Sequence, residues 1–389
     1  MRACASHLAL IRVHRMLVEL TAPRMSRDGL LWLLVLACGV AACGGLRMEG
    51  PGSPPDPLDD GWEVSSLEAE GMNPERLAEL ERKLASGDYP APDSLLIARN
   101  GKLVYERYWN GFRRDTRHDL RSATKSLTSM LTGIALEQQL LPGVDTPVLP
   151  LLHQYAPLKN EDARKERLTL RHLLQMRTGL ACNDWQEGSP GKEERMYDSR
   201  DWVKFILDLP MAEEPGQSST YCTGGVVVLG AVVEDAAGVP FPEFARRHLF
   251  EPLGITQLEW QQAAGGRTDT GGHLHLRPRD FAKLGQVMLD GGRWRGQQLV
   301  PEAWVKESTT GSHPLGDSKY GYLWWVNTFG ISGTPVDAFF ARGNGGQYLF
   351  VFPSLNLVAV FTGSFYNEPE SALALELCGR FVLTSALGK

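Results

Sequence analysis

Ser122 and Lys125 stand three residues apart at the head of Arg121-Ser-Ala-Thr-Lys-Ser-Leu-Thr-Ser-Met-Leu-Thr-Gly-Ile-Ala-Leu-Glu137. Ala123, Leu127, Met130, Leu131, Ile134 and Ala135 recur at helical spacing, so the segment reads as a helix with one buried face. Positions i and i+3 share a face, which lets the Ser122 hydroxyl approach the Lys125 amine over the first turn. That turn also offers backbone N–H groups without partners inside the helix. A nucleophile there has a base beside it and donors for an oxyanion within reach. Ser-x-x-Lys is common by chance. Its plain alternative is a Ser122 N-cap with Lys125 as a surface charge.

A second match, Ser189-Pro-Gly-Lys192, fails on conformation. Pro190 and Gly191 make a turn, and no helix face brings those two side chains together. Any chemistry at Ser122 needs further groups from elsewhere in the chain, and the surrounding elements must deliver them.

Met72 to Leu84 reads as a helix opened by Asn73-Pro74. Ser94 to Tyr108 reads as a hairpin turning at Asn100-Gly101. The Ser122 helix ends near Leu141-Pro-Gly143. The middle of the chain is mostly helical, with expected helices at Leu168 to Arg177, Asp201 to Leu209, Val226 to Ala237, Phe241 to Phe250, Asp280 to Leu289 and Pro301 to Ser308. Residues 180–200 read as a polar loop. Strands follow at Tyr320 to Val326, Tyr348 to Phe352 and Leu357 to Thr362, and a helix from Glu370 to Ser385 closes the chain. This order predicts an α+β fold: one central antiparallel sheet built from both chain ends and flanked by helices, with a mostly helical lobe inserted.

The chain has 389 residues, 43% hydrophobic and 22% charged, with a formal charge of −6. That is a globular composition and gives no sign of a nucleic-acid partner. An apolar run from Leu30 to Cys38 follows Arg27; it is too short to span a membrane and has the proportions of a signal-peptide core. Val40-Ala-Ala-Cys43 after it resembles a bacterial lipobox. The resemblance implies cleavage before Cys43, lipidation of Cys43 and an exported, membrane-anchored protein in the periplasm or at the cell surface. Residues 1–42 are then a signal segment whose natural start could be Met25. Residues 43–60, with Gly50-Pro-Gly-Ser-Pro-Pro-Asp-Pro57, form an extended tether, and residues 61–389 form the domain.

Cysteine use fits export. Cys4 and Cys38 leave with the signal, Cys43 is lipidated, and Cys182, Cys222 and Cys378 remain. Cys182 and Cys222 lie in loop-like sequence near candidate site residues, whereas Cys378 sits in an apolar helix. A Cys182–Cys222 disulfide with a buried, free Cys378 is the expectation; three free thiols are the alternative.

Four motifs in order make the resemblance specific: Ser122-Ala-Thr-Lys125, Leu168-Thr-Leu-Arg-His-Leu-Leu-Gln-Met-Arg-Thr-Gly-Leu180, Tyr221-Cys-Thr-Gly-Gly225 and Gly343-Asn-Gly-Gly-Gln347. Together they resemble the serine β-lactamase and penicillin-binding-protein superfamily, in particular class C β-lactamases and their esterase and peptidase relatives. Leu249-Phe-Glu-Pro-Leu-Gly-Ile255 and Arg277-Pro-Arg-Asp-Phe-Ala-Lys-Leu-Gly285 also look like that family, and the likeness spans about residues 65–385.

The resemblance implies Ser122 as the acylated nucleophile, Lys125 as a desolvated, partly neutral base and Tyr221 as a proton relay. It implies the backbone N–H groups of Ser122 and Gln347 as the oxyanion hole. Thr223, Asn344, Gly345 and Gly346 fall at substrate-binding positions, the glycines letting a substrate lie against a strand. Two positions depart from the pattern. Thr223 stands where an Asn is usual and lacks its amide donors. Asn344 stands where a Lys would offer a cation to a substrate carboxylate. The second departure weakens the case for penicillins and cephalosporins and points to a neutral ester or amide.

The activity implied is that of a β-lactamase-related serine hydrolase: carboxylesterase, D-amino-acid peptidase or β-lactamase-like, on a small or peptide-like ester or amide, without cofactor or metal. A penicillin-binding-like sensor that acylates with little turnover is the alternative. There is no Gly-x-Ser-x-Gly elbow, no phosphate loop and no dinucleotide fingerprint. His273 and His275 lack companions at ligand spacing and read as structural. Tyr322, Trp324 and Trp325 form an aromatic cluster, one of which could line the acyl site.

Overall fold

The computed structural model describes residues 53–389. The signal segment, Cys43 and the first part of the Pro/Gly tract lie outside the described residues. Nine strands make the main sheet: β1 (Glu63–Val64), β2 (Ser94–Arg99), β3 (Lys102–Tyr108), β4 (His313–Leu315), β5 (Ser318–Tyr320), β6 (Trp325–Ile331), β7 (Thr334–Gly343), β8 (Gln347–Phe352) and β9 (Leu357–Thr362). Their order is β1-β3-β2-β9-β8-β7-β6-β5-β4. Every pairing is antiparallel except the short β1–β3 edge. The first hairpin and the C-terminal strands join through β2 and β9, so both ends of the chain do build one sheet.

Local chemistry explains most of the boundaries. Asn100 and Gly101 both take positive φ, as the tight turn between β2 and β3 requires. Helix α1 (Pro74–Ser86) is capped by the Asn73 side chain, which accepts from the Glu75 N–H at 3.0 Å. Thr169 and Asp201 cap the next short helices, Leu170–Leu174 and Trp202–Leu207. Three differences stand out. β7 has no counterpart in the expected strands, because Ser332-Gly-Thr-Pro335 reads as loop and Pro335 argues against a strand. The expected strand from Tyr320 to Val326 splits into β5 and β6 at a turn through Leu323. A short helix, Glu193–Tyr197, interrupts the 180–200 loop.

Helix α2 (Thr124–Glu137) is the hub. Residues Thr124 through Ala135 are all buried, not one face only. The helix lies between the sheet and the helical lobe, touching β7 on one side and α3 (Thr223–Ala237) on the other. Two of its polar side chains bond to carbonyls of other segments: Ser126 Oγ donates to the Leu323 carbonyl at 2.7 Å and Thr128 Oγ1 to the Thr270 carbonyl at 2.7 Å. Helix α4 (Pro278–Leu289) covers the sheet on β2, β8 and β9.

The tether ends earlier than its composition suggests. Arg279, at the head of α4, binds buried Glu106 of β3 through two hydrogen bonds of 2.9 and 2.6 Å. The same guanidinium reaches Asp60 at 2.9 Å and the Asp56 carbonyl at 2.8 Å. Residues 56–60 are therefore docked on the domain and are not part of an extended linker. A buried cation with five donors draws in every acceptor within reach.

Candidate active site

Ser122 lies in a 3-10 turn, Arg121–Ala123, that feeds directly into α2. Arg121 holds a φ of 49°, unusual for a residue with a side chain, and its N–H is fixed by Asp119 Oδ1 at 2.9 Å. One turn on, the Lys125 amine donates to Ser122 Oγ at 2.9 Å and to the Gly271 carbonyl at 2.7 Å. Lys125 is 1% exposed. Its nitrogen lies 5.0 Å from the centroid of the Tyr221 ring. The three groups expected to meet do meet, around a cavity of about 290 Å³.

The state of Lys125 differs from expectation. Burial is the largest single influence and favours the neutral amine, but Tyr221, Glu193, Asp184 and Asp269 together outweigh it and hold the pKa above its ordinary value. That direction favours the ammonium over a partly neutral base. The Tyr221 hydroxyl makes no hydrogen bond among the described residues and stays open to the cavity.

Two stretches of loop supply the wall opposite Ser122. The Cys182–Cys222 disulfide forms as expected, and Cys378 is buried and free. The bridge joins the residue after Tyr221 to the residue two before Asp184, and the Asp184 N–H donates to the Tyr221 carbonyl at 2.9 Å. Asp184, Trp185 and Glu193 thereby enter the cavity beside Tyr221. Sequence reasoning passed over all three as polar loop; the expected bridge was the signal that could have placed them. Burial, and then the neighbouring Glu193, push the Asp184 carboxyl up to about 6.

Thr223 does not line the cavity. It is wholly buried at the start of α3, with its N–H on Asp184 Oδ2 at 2.6 Å and its hydroxyl on Glu193 Oε2 at 2.8 Å. It anchors two carboxylates instead of holding Lys125 or a substrate.

β7 closes the other side. Gly343 is required there: a Cβ would sit 2.2 Å from the Leu120 carbonyl oxygen, so only glycine lets the strand end abut the Ser122 turn. Asn344 lines the cavity, but its side-chain amide is held by Asn367, donating at 2.8 Å and accepting at 3.0 Å. Gly345 and Gly346, with φ of 90° and 96°, make the turn into β8 and do not continue a strand. The Gly345 N–H donates to Ser371 Oγ at 2.9 Å. Gln347 is 0% exposed, pairs with Gly343 in the ladder and binds Gly363 through its side chain. It is not among the residues that line the cavity.

Arg342 corrects the inference drawn from Asn344. It is exposed, lines the same cavity and has no ion pair among the described residues. Its guanidinium lies 6.0 Å from the Trp325 ring centroid. The cleft therefore contains a cation although Asn344 is not one, and neutrality of the substrate does not follow from Asn344. Trp325 is the member of the aromatic cluster that lines the cavity. Trp324 is buried against Phe339, and Tyr322 donates to Glu307 at 2.7 Å. His273 is engaged with Asp119 at 2.8 Å, and Lys192 pairs with Glu187 and Glu194, not with Ser189.

A mixed sheet packed on a buried helix, with a Ser-x-x-Lys pair at that helix's mouth, defines the β-lactamase/transpeptidase class of fold. A model of the Beta-lactamase family matches residues 84–376, and the chain belongs to that family of serine hydrolases. The 6-aminohexanoate-dimer hydrolase of Paenarthrobacter ureafaciens is 25% identical to it over 323 residues, 76% of this chain and 77% of that one. Esterase EstB of Burkholderia gladioli is 26% identical over 176 residues, 41% of this chain and 44% of that one. Among solved structures, EstCE1, a hydrolase with promiscuous acyltransferase activity, gives a TM-score of 0.65 at 17% identity over 82% of this chain and 100% of that chain.

Proposed function

We propose that the protein hydrolyses an ester or amide through an acyl intermediate on Ser122. The observation that carries this reading is the 2.9 Å contact between the Lys125 amine and Ser122 Oγ inside a cleft that also holds Tyr221. The hydrolase and esterase activities named for the relatives support it. Ser122 Oγ attacks the carbonyl carbon, and its proton passes to Tyr221, which acts in this scheme as the phenolate and becomes the phenol. Lys125, already charged, orients Oγ and compensates negative charge on Tyr221 and on the developing alkoxide. Tyr221 then returns the proton to the leaving alcohol or amine. Water attacks the acyl carbon in the second half and releases the acid and free Ser122 by the reverse transfers. The N–H groups of Ser122 and Asn344 are the oxyanion donors in this scheme, because both residues border the cavity.

Stopped-flow hydrolysis of a p-nitrophenyl ester tests it. The expected result is sustained turnover, lost in Ser122→Ala and slowed about 10²-fold or more in Lys125→Ala and Tyr221→Phe. A burst without a steady state would mark a sensor that acylates and stalls. Full activity in Tyr221→Phe would remove the proton route.

We also propose that the chain is exported and anchored through a lipid on Cys43. The lipobox-like Val40-Ala-Ala-Cys43 and a disulfide suited to an oxidising compartment support this. Metabolic lipid labelling should mark the wild type and not Cys43→Ser; an unlabelled wild type would end the idea.

A further inference from the structure

The residue before the nucleophile is held in a conformation that its side-chain type disfavours. Arg121 has a φ of 49°, which a residue with a Cβ keeps only when its surroundings hold it there. Its N–H donates to Asp119 Oδ1 at 2.9 Å. Asp119 Oδ2 accepts from His273 Nδ1 at 2.8 Å, which leaves His273 Nε2 as an acceptor 3.5 Å from Arg121 Nη1. The Arg121 guanidinium also lies 4.7 Å from the centroid of the Tyr366 ring. Tyr366 packs against Gly345, where a Cβ would lie 2.6 Å from its ring. Arg121 therefore ties the Ser122 turn to the turn between β7 and β8.

The backbone delivers His273 to this place. Strand His118–Asp119 pairs antiparallel with Leu274–Leu276, and the Leu120 N–H donates to the Leu274 carbonyl at 2.9 Å. Two residues before His273, the Gly271 carbonyl receives the Lys125 amine at 2.7 Å. That stretch is pinned in turn: Asp269 Oδ1 accepts from the Gly271 N–H at 3.1 Å, and the Thr270 carbonyl accepts from Thr128 at 2.7 Å. Asp269 to His273 thus braces both members of the Ser122–Lys125 pair, Lys125 through a carbonyl and the Ser122 turn through Asp119.

Resting on the hydrolase reading of this site, we propose that Asp119 and His273 are positioning residues for acylation of Ser122. His273 orients the Asp119 carboxylate, Asp119 holds Arg121 in its left-handed conformation, and that conformation aims the Ser122 N–H and Oγ. Without the Asp119 acceptor, Arg121 relaxes toward negative φ and turns the peptide that carries the Ser122 N–H. Neither Asp119 nor His273 lines the cavity, so the loss falls on kcat and not on KM.

The test follows the rate at which a fluorophosphonate labels Ser122, beside steady-state hydrolysis of a p-nitrophenyl ester. Asp119→Ala should slow labelling and kcat about tenfold or more at nearly unchanged KM. Asp119→Asn keeps an oxygen for the Arg121 N–H and should restore most of that rate. Asp119→Ala/Arg121→Gly should label faster than Asp119→Ala, because glycine takes positive φ without an anchor. A role in stability alone predicts no such recovery. Wild-type labelling in Asp119→Ala, or a double variant no faster than Asp119→Ala, would overturn the positioning role. If Asp119→Ala fails to fold, His273→Ala carries the test: slower labelling at unchanged KM supports the role, and an unchanged rate overturns it. If the wild type labels at Ser122 but turns over no ester, the hydrolase reading falls, and slower labelling of the variants still upholds the positioning role. A wild type that does not label at Ser122 overturns both.

Discussion

Asp184 carries a cost that pH can reveal. Its carboxyl is pushed up to about 6 from an ordinary value near 3.8 by burial and by Glu193. A raised carboxyl is more easily protonated in the folded chain than in the unfolded one. Its stabilising effect is therefore present below about pH 4 and lost as pH rises through about 6, a difference of about 3 kcal/mol. Asp184→Asn should unfold at a higher denaturant concentration than the wild type at pH 8 and at nearly the same concentration at pH 4. Equal gains at both pH values would mean that charge is not the cause. At this scale the sequence was readable only where chemistry is local. Ser122 and Lys125 share a helix turn, so their contact follows from spacing. Tyr221 came through a motif. Asp184, Glu193 and Arg342 reach the cavity by a disulfide, a short loop helix and a strand end. No spacing rule brings those together.

Elements were legible in proportion to their punctuation. Asn100-Gly101 marks the β2–β3 hairpin, and Asn73, Thr169 and Asp201 mark helix starts, because those residues satisfy a backbone demand on their own. β7 was invisible because Pro335 and the preceding Ser-Gly-Thr look like a loop, while its pairing partners β6 and β8 supply what local preference does not. The burial of α2 on all sides was equally hidden: Ser126 and Thr128 read as a polar face until carbonyls of neighbouring segments meet them, and Thr132 donates back to the Thr128 carbonyl within the helix. Docking of residues 56–60 on α4 belongs to the same class, a long-range ion pair that composition does not encode. Removing Arg279 tests that contact. Arg279→Met leaves Glu106 buried without its guanidinium and should destabilise the domain by about 3–5 kcal/mol. It should also expose residues 56–60 to limited proteolysis under conditions where the wild type resists. Unchanged cleavage would show that the segment is held by something other than Arg279.

The whole molecule depends on one covalent tie within the wall of the cleft opposite Ser122. Cys182 and Cys222 are 40 residues apart in sequence, so the bridge restricts the unfolded chain by about 4 kcal/mol in a loop-entropy account. The double variant Cys182→Ala/Cys222→Ala should lose stability of that order. It should lose activity further, because the bridge sets Asp184 and Trp185 against Tyr221. A variant that loses stability but keeps wild-type kcat/KM at low temperature would reduce the bridge to a staple. The claim beneath all of this is that one alcohol at the mouth of α2 carries the acyl group. Mass spectrometry of the intact domain after a fluorophosphonate reads it most directly. The account predicts a single adduct, mapped by peptide digestion to Ser122 and absent from Ser122→Ala. An adduct on any other residue, or one that persists in Ser122→Ala, would contradict it.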